Sequence, residues 1–262
     1  MINPPQLQVN YRRFFILKEY IYDNTFEGLL TAIFYAYSCK DACIITKSRH
    51  YVTSFLNEVS DISTEYDKFD RVYKSIVEKL NNEILRNVYY LYLSDMTDSD
   101  SLAFKYLKLC YRYGANINLA KNNDIIILVD KYTRRVAGEA HRFTGFVRFK
   151  EVAPLSFYAA IEPDHNILPL ILNHFTRRFS DQNFIIHDLK RELAIIYNKE
   201  SAIITDFKKE DSKVFTSSSS DGEFETLWKT FYNSVNIKER ENHRLRNRSM
   251  PKRYWTHLTE LR

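Results

Sequence analysis

This chain of 262 residues has few of the residues that interrupt regular structure, with only 5 glycines and 6 prolines. So low a content excludes collagen-like and low-complexity architectures. The glycines form no phosphate-binding loop, no GxGxxG pattern and no Gly-x-Ser-x-Gly elbow. The sequence therefore gives no support to a nucleotide-driven enzyme or a dehydrogenase.

Cysteine is also scarce, and three cysteines cannot all form disulfides with one another. A small, odd number is typical of proteins from the reducing cytoplasm. Cys39 and Cys43 have the first spacing of the radical-SAM cluster motif, but Thr46 stands where that motif requires its third cysteine. We therefore expect no iron–sulfur cluster and no other cofactor in this chain.

Long apolar runs are missing as well. The longest, such as 125–129, are far shorter than the roughly 20 residues that a membrane helix needs. The chain does not open with a cationic segment followed by an apolar stretch, which a signal peptide would have. These features predict a cytoplasmic protein that makes no contact with membranes.

Hydrophobic residues, in contrast, make up 45% of the chain and aromatic residues 15%, which is enough for a sizeable core. Residues 14–22 are predicted to form a strand, Thr25 to cap a helix that runs through Cys39, and residues 42–46 to form a second, parallel strand. Apolar residues at helical spacing then predict a helical middle, with helices at 68–80, at 82–93, from a cap at 98–101 through Tyr113, and from 122–124 to about Phe143.

The pattern then changes to short strands. Alternation of apolar and polar residues predicts strands at 145–152, 155–161, 184–187, 193–198 and 202–207, with one helix between the second and third. This order predicts an α+β fold with an N-terminal strand–helix–strand, a helical middle and a C-terminal antiparallel sheet flanked by helices. We expect a single compact domain with two lobes, in which 1–142 is mainly helical, 143–207 is the sheet with its helix, 208–222 is a loop, and 223–262 is a helical, basic C-terminal arm.

Positive charge is concentrated near the C-terminus. Residues 238–254 carry seven lysines and arginines against two glutamates. The net charge of this segment is therefore +5, which equals the formal net charge of the whole chain. Basic groups interleaved with aromatic rings are typical of contacts to nucleic-acid phosphates and bases. A solvated surface helix is the alternative, as is a core position for the tryptophan. The candidate nucleic-acid contacts in this region are Arg244, Arg246, Arg248, Lys252, Arg253 and Trp255.

A second constellation, at 134–145, combines arginines with Glu139 and His141 near the end of a predicted helix. A carboxylate and an imidazole beside guanidinium groups can do acid–base chemistry near a phosphate. Gly138 is costly inside a helix, which indicates close approach of a backbone or a ligand. The alternative is an ion-paired helix face with one core histidine. Arg142 and Arg148 join the candidate nucleic-acid contacts here.

His187 and Asp188 end a predicted strand, and such a dipeptide is typical of metal phosphohydrolases. His165 or His174 could complete a metal site in three dimensions, but no pair has the spacing of a known metal motif. We therefore predict no metal site and retain Asp188 as an acid–base candidate.

Five segments, taken together and in this order, resemble one bacterial family of unknown function that is described as a probable DNA metabolism protein. They are 22–30 (YDNTFEGLL), 136–149 (VAGEAHRFTGFVRF), 174–178 (HFTRR), 186–191 (IHDLKR) and 250–255 (MPKRYW). The chain has Asn24 where the family usually has glycine, and Tyr73 where it usually has tryptophan. Both changes are mild, since asparagine tolerates a left-handed turn and tyrosine keeps an aromatic ring.

The resemblance implies a role in DNA repair or modification. Genes of this family sit beside that of a radical-SAM protein of DNA modification or repair, and some members are fused to a uracil-DNA-glycosylase-like domain. We therefore expect a nucleic-acid-binding accessory protein whose partners are DNA and a radical-SAM protein. The alternative is an enzyme that acts directly on DNA or a nucleobase by general acid–base chemistry through Glu139, His141 and Asp188.

Overall fold

The structure, a computed structural model, describes residues 17–39, 43–53, 57–212, 222–235 and 242–261. The first residues of the predicted strand 14–22, most of the predicted loop 208–222 and the start of the basic segment at 238–241 lie outside the described residues. The chain divides into two compact units. The first unit comprises Met1–Tyr92 and Met96–Val129, and the second comprises Leu93–Asp95 and Asp130–Arg262.

The first unit contains a parallel sheet of three strands. Strands β1 (Lys18–Tyr22), β2 (Cys43–Lys47) and β3 (Glu58–Ile62) lie in the order β2-β1-β3. Both pairs are parallel, which confirms the predicted parallel pair. Strand β3 was not predicted, because Val59 and Ile62 are its only two large apolar residues and they do not alternate with polar ones.

The helices of this region follow the predicted periodicity. They are α1 (Phe26–Ser38), α2 (Tyr66–Lys79), α3 (Asn82–Leu93) and α4 (Ser99–Tyr113), with 3-10 turns at Ser48–His50 and Ala115–Leu119. Gly114 ends α4 at φ 78°, in the left-handed region that favours glycine.

The start of α1 depends on side-chain capping. The Thr25 hydroxyl oxygen accepts a hydrogen bond from the Gly28 backbone N–H at 2.9 Å, as an N-cap does. The Asp23 carboxylate accepts from the backbone N–H groups of Thr25 and Thr64, which ties the start of α1 to the residues after β3. A Cβ atom at position 28 would lie 2.1 Å from Asp23 Oδ1, so this arrangement requires glycine there.

A buried ion pair lies at the end of β2. The Lys47 ammonium nitrogen is 3.4 Å from Asp100 Oδ1, and their side chains are only 1% and 2% exposed. The ammonium also donates to the Tyr92 carbonyl oxygen, and the Tyr22 hydroxyl donates to Asp100 Oδ1 at 2.9 Å. Each charge is therefore compensated by a partner that lies far away in the sequence.

Helix α5 (Asp124–Phe146) begins in the first unit and ends in the second. It is longer than predicted, and the predicted strand at 145–152 is wrong in its first half, since β4 covers only Lys150–Ala153. Val136, Ala140 and Phe143 are all buried, at the i, i+4 and i+7 spacing of one helix face. Helical packing therefore overrides the alternating pattern of this stretch.

The second unit is built on a sheet of five strands in the order β4-β5-β6-β7-β8. Strands β5 (Ser156–Ile161), β6 (Asn183–Asp188), β7 (Leu193–Tyr197) and β8 (Ala202–Asp206) follow β4. The α+β class is confirmed, but the sheet is mixed rather than wholly antiparallel. Strands β5 and β6 pair in parallel, and the other three pairs are antiparallel. The reason is α6 (Leu168–Arg178), which connects β5 to β6 as a crossover helix.

The core of the second unit lies between this sheet, α6 and the end of α5. The C-terminal elements are α7 (Gly222–Val235), α8 (His243–Ser249) and two 3-10 segments, Lys252–His257 and Thr259–Leu261, within the region that was predicted to be a helical arm. Tyr254 enters the core, and its ring centroid is 4.9 Å from that of Phe143. Among the described residues, no helix is both long enough and apolar enough to cross a membrane.

We expect the contribution of an ion pair to the stability of this protein to depend on burial rather than on the distance between the charges. Asp100→Ala should lower the free energy of unfolding by about 3–5 kcal/mol, because it leaves the Lys47 ammonium buried and uncompensated. The matched control is Asp70→Ala, since Asp70 lies at the same 3.4 Å from the exposed Lys74. It should change stability little. Urea denaturation followed by circular dichroism measures both, and equal losses would contradict the explanation.

Candidate functional site

Glu139, an acid–base candidate of the sequence analysis, lies on α5 with only 1% of its surface exposed. Its two carboxylate oxygens accept hydrogen bonds from the backbone N–H groups of Asp164 and His165, each at 2.8 Å. The Tyr254 hydroxyl also donates to Oε1. Three donors surround this carboxylate, so it holds the connection between β5 and α6 and the C-terminal segment against α5.

Asp188, the second candidate, is completely buried at the end of β6. Its carboxylate accepts from the backbone N–H groups of Lys190 and Arg191 and is ion-paired with the Arg191 guanidinium at 2.7 Å. Burial raises the pKa of Asp188, and the Arg191 charge acts in the opposite direction.

Arg191 joins Asp188 to the same connection that Glu139 holds. Its guanidinium donates to the carbonyl oxygens of Pro163 and Asp164 at 3.1 and 2.6 Å, and it is 3.0 Å from Asp95 Oδ2. Glu139 and Asp188 are thus brought into one hydrogen-bonded arrangement through the backbone of Asp164. We call this arrangement the polar network; it consists of Asp95, Glu139, Asp164, His165, Asp188, Arg191 and Tyr254.

Arg253 lies at the exposed edge of the polar network. Its guanidinium is 2.8 Å from Asp164 Oδ2 and donates to the Tyr254 hydroxyl oxygen at 3.1 Å. Burial and the hydrogen bond to Glu139 both raise the pKa of Tyr254, so its hydroxyl is protonated at neutral pH. Arg253 was predicted to contact phosphates. In the structure, its guanidinium is ion-paired with a carboxylate of its own chain.

His141, the third candidate, is exposed on α5, whereas Glu139 is buried. The structure therefore does not place His141 in the polar network, and His141 is no core histidine. Arg142 follows it and is half-buried. In the described part of the chain its Nε has no acceptor. A Cβ atom at Gly138 would meet the Arg142 side chain at an ordinary 3.6 Å, so no close contact in the structure requires glycine there.

The histidines of the metal hypothesis have separate surroundings in the structure. His187 and Asp188 are neighbours on a strand, so their side chains point to opposite faces. The His187 ring is 2.9 Å from the Tyr158 hydroxyl and 4.9 Å from the Phe207 ring, and burial lowers its pKa. Burial likewise lowers the pKa of His165, whose Nδ1 accepts from the Asp95 backbone N–H. His174 is exposed on α6. Within the described ranges, no three His, Cys, Asp or Glu side chains form a group that could hold a metal ion.

The basic C-terminal segment places its charges on α8 and the turn after it. Arg244 and Arg248 are exposed and share one face of α8 at i, i+4 spacing. Arg246 and Lys252 approach the half-buried Trp255 ring, with their charged groups 5.4 and 5.8 Å from its centroid. We call these five residues the basic cluster. The Trp255 indole N–H donates to the Met250 carbonyl oxygen at 2.9 Å, which fixes the ring.

Arg148, the last predicted nucleic-acid contact, is engaged within its own unit. It forms two hydrogen bonds to the Glu260 carboxylate, at 3.2 and 2.5 Å, and donates to the Gly145 carbonyl oxygen. Its guanidinium also lies 5.5 Å from the Trp228 ring centroid. It therefore fastens the C-terminal segment to the end of α5.

Asp95, Arg191 and Tyr254 belong to the polar network but were not predicted as site residues. Asp95 and Arg191 are 96 positions apart, and Glu139 and Tyr254 are 115 apart, so no periodicity connects them. The available signal was the resemblance, because Arg191 and Tyr254 both fall in quoted segments.

The contrast between Glu139 and His141 can be measured on one helix. Glu139→Ala should lower the free energy of unfolding by about 3 kcal/mol, because two buried backbone N–H groups and the Tyr254 hydroxyl lose their acceptor. His141→Ala, two residues away and exposed, is the matched control and should change it by less than about 0.5 kcal/mol. A large loss for His141→Ala in the same urea titration would show that the imidazole has a structural role after all.

Gly138→Ala tests whether the glycine serves a close approach. An alanine fits this helical position, and its higher helix propensity should raise stability by about 0.5–1 kcal/mol. Gly114→Ala should do the reverse, because a φ of 78° strains any other residue. Thermal melts of both variants give the two signs, and a destabilised Gly138→Ala protein would restore the close-approach hypothesis.

Comparison with known proteins identifies a family for this chain. No curated protein and no solved structure matches the chain. Residues 97–260 match a family that is described as a domain of unknown function, DUF4130, and this range contains Glu139, Asp188, Arg191, Tyr254 and the whole basic cluster. Because the match spans more than half of the chain, the protein belongs to the DUF4130 family.

Proposed function

We propose that this protein binds nucleic acid through the basic cluster, as an accessory protein in DNA repair or modification. The observation that carries the proposal is the exposure of Arg244, Arg248 and Lys252 beside a tryptophan that already has cations against its ring. Cations for phosphates and an aromatic ring for bases are what single-stranded nucleic acid requires.

Three cationic side chains of the basic cluster are free of ion pairs among the described residues. Among the described residues, no carboxylate forms an ion pair with Arg244, Arg248 or Lys252, whereas Arg148 and Arg253 are paired with Glu260 and Asp164. Neutralising phosphates with such side chains releases counterions, so the affinity falls steeply with salt.

The hydrogen bonds of the polar network favour this function over direct acid–base catalysis. The Glu139 carboxylate has three donors, the Asp188 carboxylate is paired with Arg191, and His141 lies on the surface. A general base needs a lone pair that can reach a substrate proton. An enzyme that acts directly on DNA or a nucleobase stays the alternative, with the same three residues as its candidates.

The radical-SAM partner rests on the resemblance of the five segments described above. In this proposal the partner supplies redox chemistry, and the present chain supplies contacts to DNA. Co-purification of the two proteins, with and without a DNA oligonucleotide, tests this part separately from DNA binding.

Removal of two charges from the basic cluster should weaken DNA binding and its dependence on salt. We expect Arg244→Gln with Arg248→Gln to lower the slope of log affinity against log salt by about 1.4 for single strands and about 1.8 for duplex, since each phosphate contact contributes about 0.7 or 0.9. Fluorescence anisotropy with labelled oligonucleotides at several salt concentrations gives the slope.

The matched control is Lys208→Gln with Lys209→Gln, which removes the same charge from two exposed residues of the same unit. It should leave the slope nearly unchanged. If both double variants lose affinity equally, binding depends on net charge alone and the basic cluster is not the site.

A further inference from the structure

The first unit contains a groove of about 570 Å³ that the basic cluster and the polar network do not involve. Helices α1, α2 and α4 form its walls. Aromatic and cationic side chains line it, among them Phe34, Tyr37, Arg71, Lys74, Lys79 and Tyr111. A volume of this size lies within the range of small-molecule sites, which is roughly 300–1,000 Å³.

One wall of the groove is aromatic and held in place by packing. Tyr37 is 44% exposed, and its ring contacts those of Phe104 and Tyr111 edge-to-face, at 5.5 and 5.9 Å between centroids. The Tyr111 hydroxyl donates to Ser75 Oγ on α2 at 2.9 Å, which fixes the ring against the opposite helix. An ordered, partly exposed ring offers a face on which a planar group can stack.

The other wall is cationic. Arg71, Lys74 and Lys79 lie on α2, and Glu78 is the one acidic side chain among the described residues that line the groove. Lys74 is 3.4 Å from Asp70, and the Arg71 guanidinium lies 5.1 Å from the Phe34 ring centroid. The described residues place no carboxylate in an ion pair with Arg71 or Lys79, so these two charges suit an anion at the mouth of the groove.

We propose that this groove binds one nucleotide, with its base against Tyr37 and its phosphate beside Arg71 and Lys79. The two walls match the two halves of a nucleotide: a flat aromatic base and a phosphate. An aliphatic phosphate would leave the exposed Tyr37 face unused, and a neutral aromatic ligand would leave the cations unused. The site lies in the first unit and does not depend on the basic cluster of the second.

The probes for the test are dAMP, deoxyadenosine, inorganic phosphate and a short oligo(dA), titrated calorimetrically into the full chain. We expect dAMP to bind about tenfold more tightly than deoxyadenosine or inorganic phosphate, because only dAMP engages both walls. Equal affinities for all three small probes would overturn the proposal. So would a failure of the folded protein to bind dAMP at concentrations up to about 10 mM.

Substitutions then assign the binding to the groove. Tyr37→Ala should weaken dAMP about tenfold and Tyr37→Phe should restore it, since the ring and not the hydroxyl carries the contact. Arg71→Gln with Lys79→Gln should give a similar loss. The controls are Arg86→Gln with Lys105→Gln, which removes two exposed charges from α3 and α4, and Tyr113→Ala, which removes an exposed ring outside the groove. If the groove variants lose no more affinity for dAMP than the control variants do, dAMP does not bind in the groove.

The oligonucleotide distinguishes the source of the nucleotide. If Tyr37→Ala weakens oligo(dA) and dAMP together, the groove holds a nucleotide of a strand; if it weakens dAMP alone, the groove takes free nucleotides. Binding of dAMP should persist in the protein with Arg244→Gln and Arg248→Gln. A failure of the groove is thereby separated from a failure of the basic cluster, because each has its own ligand and its own variants.

Discussion

A buried carboxylate must find hydrogen-bond donors, and the second unit is organised by this requirement at Glu139. The donors come from the Asp164 and His165 backbone and from the Tyr254 hydroxyl, which lie 25, 26 and 115 positions away. Because all three donors must reach one carboxylate, the connection after β5 and the C-terminal segment are held in fixed positions. The basic cluster owes its place on the unit to this anchor and to the Arg148–Glu260 pair.

Buried charge also marks the ends of strands in both units. Lys47 ends β2 and Asp188 ends β6, and each meets an opposite charge, Asp100 and Arg191. Such pairs add little net stability over apolar residues, but any arrangement that separates them is strongly disfavoured. They therefore act chiefly by excluding other registers and other packings of the same elements.

The sequence correctly predicted features that depend on residues close together in the chain. Thr25 caps α1 and α4 ends at Tyr113 as expected, because caps and helix ends are decided within one turn. The parallel pairing of β5 and β6 was within reach as well, since a helix between two strands indicates a crossover, the same rule that predicted β1 and β2 correctly. Glu139 was chosen from the sequence, but its bond to Tyr254 was not, because nothing local relates residues so far apart. From the sequence, His141 and Glu139 were equally good acid–base candidates, and their burial in the structure distinguishes them.

The position of Tyr254 also has a consequence for synthesis on the ribosome. Its ring belongs to the core of the second unit and its hydroxyl completes the hydrogen bonds of Glu139. Strand β8 ends at Asp206, 48 residues before Tyr254, which at 5–20 residues per second is about 2–10 s of translation. During that interval the core of the second unit lacks the Tyr254 ring, and the Glu139 carboxylate lacks one of its donors. The second unit can therefore complete its core only after Tyr254 has been synthesised.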